Sequence, residues 1–519
     1  MVIIQYLLKN TERFPEKAAI IFADNALSYR DFTEQTRRVS GALREAGVGE
    51  GTHIGLIQNN SVEFVAILFA AADLGATIIP MSSTTGRQDL LTAIRTTNMD
   101  YLIGWHAAVK DILKRLQQEF PLPHEKCITV GGKVEGCLYF EEIVAAAPET
   151  YELGKQAIDE ENDFILTMTS GSTSAPKPIV FTQGTKIRRC FSAEKSYNIT
   201  EDDIILVGTP LYHSISQRLV LLPLIIGGTS VIMQRFTPKS WLTQTEKHQV
   251  TFTISISSQL ENILRELQET KVDLSSLRSI VSCCALLKNE IKMRLIEELK
   301  CEFHECYGAS EVGVVSNLAP EDAVKKLHTV GNAVPGAEIR IADSGKNPVA
   351  TGEIGEIACK STMRFSRYYN NEQATQESIV NGYFYTGDMG YLDEDGYLVF
   401  SGRKKEVIIT GGTNVYPRDV ESVLSLHEKV KECAVIGIED QRFGEAILAV
   451  IIPEKGEILT SRELQIHCLY RLADYQQPLA YEFVDDFPRT ELGKVIKHKL
   501  VEQRSGYDLT KVLRTLIKN

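Results

Sequence analysis

Thr169-Ser170-Gly171-Ser172-Thr173-Ser174-Ala175-Pro176-Lys177-Pro178 follows directly on the apolar run Phe164–Met168. The run reads as a strand, and the segment after it as a phosphate loop. Small hydroxyl residues and glycine let backbone N–H and side-chain O–H groups surround phosphate oxygens, and Lys177 adds a point charge. A Walker A loop needs Gly before its Lys and Ser or Thr after it, whereas Pro176 and Pro178 flank Lys177. Alone, the segment leaves a mobile Ser/Thr-rich surface loop as the lesser alternative, so the surrounding chain has to decide.

Outward from this loop, short β-rich runs alternate with amphipathic stretches. Ala18–Phe22, His53–Gln58, Tyr101–Trp105, Ile204–Val207, Ser230–Met233, Phe252–Ile256 and Ser279–Ser282 read as further strands, with helices such as Tyr29–Ala46 and Gln259–Leu267 between them. Such alternation predicts an α/β fold with largely parallel sheets. The texture changes near residue 340, where Gly352–Ile357, Tyr397–Ser401 and Val407–Thr410 read as short strands in a turn-rich region. After Arg403 a smaller α+β unit is expected, with a helix from Pro417, strands at Glu432–Ile438 and Ala446–Pro453, and a helix over Ser461–Leu472.

With 519 residues the chain is too long for one core. Its 56 Lys and Arg against 68 Asp and Glu leave a net charge of −12, which argues against wholesale nucleic-acid or anionic-membrane binding. The apolar stretch from Phe64 to Ile79 carries Asp73 and Gly75 and stops at Pro80, so it reads as a buried helix followed by a strand, not a membrane span. Met1–Asn10 lacks the layout of a secretory signal. Ten scattered Cys suggest a reduced, cytoplasmic protein. Cys301, His304 and Cys306 lack a fourth ligand for zinc. The adjacent Cys283 and Cys284 cannot easily pair with each other and read as small buried apolar residues.

Four more blocks follow the loop in order: Tyr307-Gly308-Ala309-Ser310-Glu311, then Tyr385-Thr386-Gly387-Asp388, then Gly402-Arg403-Lys404-Lys405 with Gly411-Gly412-Thr413-Asn414, and Pro488-Arg489-Thr490-Glu491-Leu492-Gly493-Lys494. Together the chain resembles the adenylate-forming superfamily of acyl- and aryl-CoA synthetases, peptide-synthetase adenylation domains and luciferases, over about residues 10–503. The resemblance is greatest to an acyl-CoA synthetase. It implies a large N-terminal domain of α/β subdomains plus a β-barrel-like part, over residues 1–402. A hinge at 403–408 and a small mobile α+β domain at 409–519 complete the expected layout.

The resemblance also implies roles. Thr169, Ser170, Gly171, Ser172, Thr173, Ser174 and Lys177 would hold the phosphates of ATP, with Tyr307, Gly308 and Ser310 at the nucleotide and Tyr307 stacked on adenine. Glu311 would be the Mg²⁺ carboxylate, since a hard cation on a triphosphate takes oxygen anions. Asp388 and Arg403 would hold the ribose hydroxyls. Lys494 would neutralise charge building between the acid and the α-phosphate. Lys405 occupies the hinge position, about which the C-terminal domain alternates between two orientations, one for adenylation and one for thiol attack. Gly411 and Gly412 would then line the thiol tunnel.

Ser174 and Pro178 replace frequent glycines of the family, and Ser361–Tyr369 lacks another, without any chemistry assigned to that segment. Cys283 and Cys284 stand in Ser282-Cys283-Cys284-Ala285-Leu286-Leu287, where Gly-Gly-Ala-Pro-Leu is usual beside the acyl pocket. Their added bulk predicts a short, medium-length or flat aromatic acid, unless they face the core and Tyr212 and Gln217 shape the tunnel instead. Amino-acid-activating relatives carry an Asp close to the block matching Pro210-Leu211-Tyr212-His213; here Ser214 follows and the next acidic residue is Glu246, which disfavours an α-amino acid. His213 resembles the residue beside the carboxylate, its alternative being a core histidine. Phe443, in Glu439-Asp440-Gln441-Arg442-Phe443-Gly444, either stacks on the CoA adenine or packs internally. The acceptor is CoA or the phosphopantetheine arm of a carrier protein. A non-catalytic nucleotide-sensing module would be expected to lack Lys494 or Glu311, and both are present.

Overall fold

The structure, a computed structural model, describes residues 1–168, 177–440, 442–490 and 493–504. It forms two compact units, residues 1–338 with 359–384, and residues 339–358 with the chain from 385 onward. The 403–408 segment lies within the second.

The first unit is built on two sheets. The nine-stranded sheet runs in the order Asn332–Ala333, Gly313–Leu318, Glu302–Ala309, Ser279–Cys283, Phe252–Ile256, Ile204–Val207, Thr229–Ile232, Ala18–Phe22, Asn25–Ser28. From Glu302–Ala309 to Ala18–Phe22 all neighbours are parallel. The eight-stranded sheet runs Arg367–Tyr368, Pro178–Thr182, Asp163–Met168, Thr77–Pro80, His53–Ile57, Tyr101–Trp105, Cys127–Val130, Leu138–Tyr139. Its strands are parallel except where Pro178–Thr182 pairs antiparallel with both neighbours. Strands covered on both faces read as unbroken apolar runs rather than alternating ones, and His53–Ile57, Phe252–Ile256 and Pro178–Thr182 are buried at every position.

Helix Val62–Leu74 is buried at every position except Glu63, as expected of a helix apolar on almost every side. The Ser61 hydroxyl caps its start by accepting from the Phe64 N–H, and Gly75 ends it in the left-handed conformation. Its buried acid, Asp73, accepts from the Tyr151 hydroxyl at 2.6 Å and the Gly154 N–H at 2.8 Å. No described helix is long and apolar enough to cross a membrane.

A five-stranded sheet that includes Ala337–Ala342, Gly355–Ser361, Tyr383–Leu392 and Leu398–Arg403 stands where the β-barrel-like part is expected. The strand expected over Gly352–Ile357 begins only at Gly355, because Gly352 turns with φ +83°. The second unit continues into a sheet ordered Thr413–Val415, Ile408–Thr410, Gly444–Pro453, Val430–Asp440, with Ala480–Phe483 added parallel to Gly444–Pro453. Gly444–Pro453 is apolar at almost every position because both its faces are covered. Ile447, Ala449 and Ile451 pack with Val420, Leu424 and Leu464, while Leu448, Val450 and Ile452 pack with Phe487 and Leu500. Helix Ser461–Leu469 stops short of Leu472, since the Arg471 and Leu472 N–H groups both return to the Cys468 carbonyl at 2.9 Å.

Candidate active site

Strand Glu302–Ala309 carries the Tyr307 block to the edge of the nine-stranded sheet. Gly308 is required there: a Cβ would lie 2.0 Å from the Gly313 carbonyl oxygen of the neighbouring strand. Tyr307 is largely buried and Glu311 half-buried in the turn that follows. The Tyr368 hydroxyl donates to a Glu311 carboxylate oxygen at 3.3 Å, and the Lys177 ammonium lies 5.7 Å from the centre of the Tyr368 ring. Burial and the Glu311 charge together push the Tyr368 hydroxyl well above its ordinary pKa. Below this group, Arg189 donates to the Ser310 carbonyl at 2.7 Å and to the Met363 carbonyl at 2.9 Å, pinning the Glu311 turn against residues 361–369. That segment, given no chemistry from sequence, therefore supports the candidate metal ligand.

Met168 and Pro178 are register partners in antiparallel strands, so the two ends of the expected phosphate loop are held side by side. Thr169, Ser170, Gly171, Ser172, Thr173 and Ser174 themselves lie outside the described residues.

His213 is the N-cap of helix Ser214–Ile226, its ring 4.4 Å from that of Tyr212. One turn on, the buried Gln217 accepts from the Lys186 ammonium at 2.8 Å and donates to the Tyr212 carbonyl at 3.3 Å. Cys283 ends its strand buried, its thiol toward the Ser255 carbonyl at 3.5 Å. Cys284 does not share that burial, contrary to expectation. It is exposed with φ +73°, because the chain turns out of the sheet at this residue. The loop that follows is anchored by Glu305, which accepts from the Leu287 N–H at 3.1 Å and pairs with Lys292, both acid and base being almost fully buried.

In the second unit Asp388 and Arg403 are register partners on antiparallel strands, with the guanidinium 3.3 Å from the carboxylate. The buried Asp388 has its own N–H on the Thr386 hydroxyl at 3.1 Å. Lys404 pairs with Glu356 at 2.7 Å, and Lys405 is exposed in the single turn Lys404–Glu406. Gly411 and Gly412 form the two-residue turn between Ile408–Thr410 and Thr413–Val415, with φ +56° and +81°. Two successive left-handed residues match the twist of a tight hairpin and favour glycine. The Gly411 N–H donates to the Phe443 carbonyl at 2.8 Å, so the structure brings Phe443, 42% exposed, to this turn. Lys494 is exposed, and its N–H meets the Thr490 hydroxyl at 3.1 Å.

Mg²⁺ commonly takes one or two carboxylates and completes its shell with phosphate oxygens and water. Among the described residues no cluster of three or more acids, His or Cys forms a metal cage. A single half-buried carboxylate at the mouth of the expected phosphate loop fits an ion shared with a nucleotide. Sequence reasoning missed Tyr368 and Arg189, which become visible only when residues 361–369 lie against the Glu311 turn.

The pattern of the AMP-binding enzyme family matches residues 7–369, and that of the AMP-binding enzyme C-terminal domain residues 419–494. The chain is 28% identical to an indoleacetate–CoA ligase of Aromatoleum aromaticum, across 93% of this chain and 94% of the relative. It is 29% identical to a feruloyl-CoA synthase of an Amycolatopsis species, across 95% and 96%. It superposes with a TM-score of 0.85 on o-succinylbenzoate CoA synthetase of Bacillus subtilis in complex with its acyl-adenylate intermediate, at 26% identity and 95% and 97% coverage. With both patterns matched and most of its length covered, the chain belongs to the AMP-binding enzyme family.

Proposed function

We propose that the protein joins a carboxylic acid to the thiol of CoA at the expense of ATP, releasing AMP and pyrophosphate. The observation that carries this reading is the grouping of Lys177, Tyr368 and Glu311 where the phosphate loop re-enters the sheet. It sets a cation for phosphate oxygens beside a carboxylate suited to Mg²⁺.

In the first half-reaction a carboxylate oxygen of the acid attacks the α-phosphorus, and the bond to the β-phosphate oxygen breaks. Lys177 and the residues 169–174 hold the departing pyrophosphate; His213 orients the acid; Lys494 faces the charge that builds on the α-phosphate. Asp388 and Arg403 hold the ribose, and Tyr307 the adenine. Bound Mg²⁺, held through Glu311, supplies further neutralisation of the phosphate oxygens. In the second half-reaction the CoA sulfur attacks the acyl carbon and AMP leaves. We assign the exchange of half-reactions to rotation of residues 409–519 relative to 1–402 about 403–408, with Lys405 at the pivot. The Gly411–Gly412 turn would then line the thiol path, and Phe443 would stack on the CoA adenine.

The names of the relatives, indoleacetate and ferulate, favour a flat aromatic acid over a long-chain one. Cysteines present as thiols suit a reducing cytoplasm. The carrier-protein arm is the second acceptor, favoured by the same exposed Gly411–Gly412 turn. The test offers the purified protein Mg-ATP, an aromatic and short-chain acid panel, and either CoA or a phosphopantetheinylated carrier. Acyl-CoA with AMP supports the proposal; acylated carrier with no acyl-CoA replaces CoA by the carrier; ADP formation rejects both.

A further inference from the structure

Asn60 lies buried in the short loop between strand His53–Ile57 and helix Val62–Leu74. Its carboxamide nitrogen donates to the Thr209 carbonyl at 3.1 Å and to the Met233 carbonyl at 2.8 Å. Its carboxamide oxygen accepts from the Leu211 N–H at 2.7 Å. Two carbonyls can only accept and an N–H can only donate, so these partners allow the amide one orientation. They also call for an amide. A carboxylate would set lone pairs against both carbonyl oxygens, and an aliphatic side chain would leave three backbone groups without these bonds.

The three bonds join the two sheets of the first unit. Strands Asp163–Met168, Thr77–Pro80 and His53–Ile57 are parallel neighbours in the eight-stranded sheet. Asn60 therefore follows the same end of that sheet as Met168, where the expected phosphate loop begins. Thr209 and Met233 follow the carboxyl ends of Ile204–Val207 and Thr229–Ile232, parallel neighbours in the nine-stranded sheet. Open α/β sheets present ligands at the carboxyl ends of their strands. Asn60 fastens one such end to the other.

The segment it holds is the one that delivers His213. Residues 208–213 form neither strand nor helix, and side-chain amides stand in for a backbone ladder. Gln259 donates to the Gly208 carbonyl at 3.3 Å, Asn60 takes the Thr209 carbonyl and the Leu211 N–H, and Gln217 donates to the Tyr212 carbonyl. The Thr209 hydroxyl also meets that of Ser216. The His213 N–H then closes a turn on the Pro210 carbonyl at 3.0 Å, and helix Ser214–Ile226 starts. Ser216 and Gln217 belong to that same helix and travel with His213. Asn60 ties the segment to the other sheet.

We propose that Asn60 is a positioning residue for the acid. Through Thr209 and Leu211 it fixes His213, and with it the acid's carboxylate, relative to the sheet end that carries the phosphate loop. This deepens, and rests on, the acid-activation reading above. The test measures ATP–pyrophosphate exchange with an aromatic and short-chain panel, benzoate, phenylacetate and butyrate among them, and takes the acid of fastest exchange into the variants. Asn60→Ala is expected to raise the KM for that acid about tenfold, and the KM for Mg-ATP by less than about twofold. Asn60→Asp keeps the volume and the acceptor for Leu211 but offers no donor to the two carbonyls, so it should raise the acid KM at least as far. In a His213→Ala background neither change should raise it further, because the effect runs through His213. Gln58 donates to the Ser61 hydroxyl at 2.8 Å in the same loop, so Gln58→Met disturbs that loop without touching residues 208–213 and should leave the acid KM in place. An unchanged acid KM in either Asn60 variant, acid and ATP KM rising together, or a rise as large in Gln58→Met would each overturn the proposal. So would effects of Asn60→Ala and His213→Ala that multiply. Loss of folding in both Asn60 variants assigns Asn60 to the fold and overturns it too. All these outcomes leave acid activation standing. No exchange by the wild-type protein with any acid counts against acid activation and takes this proposal with it.

Discussion

The Tyr368 hydroxyl donates to a Glu311 carboxylate oxygen at 3.3 Å, while the same ring lies 5.7 Å from the Lys177 ammonium. Residues from three distant stretches thus meet at one edge, because Arg367–Tyr368 pairs with Ile179 and Val180 just beyond Lys177. Tyr368 orients the candidate Mg²⁺ carboxylate and backs the lysine. Tyr368→Phe is therefore expected to lower pyrophosphate exchange about tenfold, the scale of one hydrogen bond to a charged group. It should also raise the Mg²⁺ concentration needed for half-maximal exchange, and leave the CoA dependence of the thiol step unaltered. Equal loss in both half-reactions would assign Tyr368 to folding instead.

Lys494 and Lys405 separate the two steps. Lys494→Ala should lower adenylation by about 10²–10³, typical of losing one group that meets transition-state charge. Thiolysis of supplied acyl-adenylate should change much less. Lys405→Pro, which fixes φ at the pivot, should do the reverse. Rapid-quench measurement of each half-reaction decides it, and parallel losses in either variant argue against rotation about residues 403–408.

The Gly411–Gly412 turn allows a purely conformational test. A Cβ at Gly412 would meet nothing within 4 Å, so Gly412→Ala acts through its φ of +81° alone. The cost is about 1 kcal/mol in the hairpin. Acyl-CoA formation should fall while pyrophosphate exchange persists; unchanged acyl-CoA formation removes the turn from the thiol path.

Lys292 and Glu305 form an ion pair whose side chains are 2% and 1% exposed. Lys292→Met leaves Glu305 buried beside the Leu287 N–H without its cation, and should cost about 3–5 kcal/mol. Changing both members to Met and Gln should recover most of that loss in urea denaturation. No recovery would mean that Lys292 acts mainly through its bond to the Leu327 carbonyl.

Cys284 carries a side chain at φ +73°, a conformation that suits glycine. Cys284→Gly should raise stability by about 1 kcal/mol. The Cys283→Gly, Cys284→Gly pair reports on pocket shape: a shift of preference toward longer straight-chain acids implicates these side chains, and an unchanged profile in folded protein excludes them.

Where the fold was legible in sequence, the reason is local. Ala18–Phe22, Tyr101–Trp105, Ile204–Val207 and Phe252–Ile256 are apolar runs between amphipathic helices, and each is a strand over those same residues. Boundaries slipped where a turn or a partner strand decides them, as at Gly352 and at Arg403, whose pairing with Asp388 extends its strand past Ser401. Within the site, Glu311, Asp388 and Lys494 stood out by position in ordered blocks. Tyr368 and Arg189 did not. An aromatic beside a loop and one arginine on a helix look ordinary until distant elements close around them. Cys284 was misread because burial of its neighbour says nothing about a residue at which the strand turns outward.

The central claim is that an acyl-adenylate forms before any thiol reacts. The most direct measurement supplies an acid that supports turnover, labelled with ¹⁸O in its carboxylate, together with Mg-ATP and CoA. Attack on the α-phosphorus transfers one carboxylate oxygen to AMP, so the account predicts a single ¹⁸O in the AMP phosphate and none in pyrophosphate. Label in inorganic phosphate with ADP as co-product, or unlabelled AMP, would contradict it.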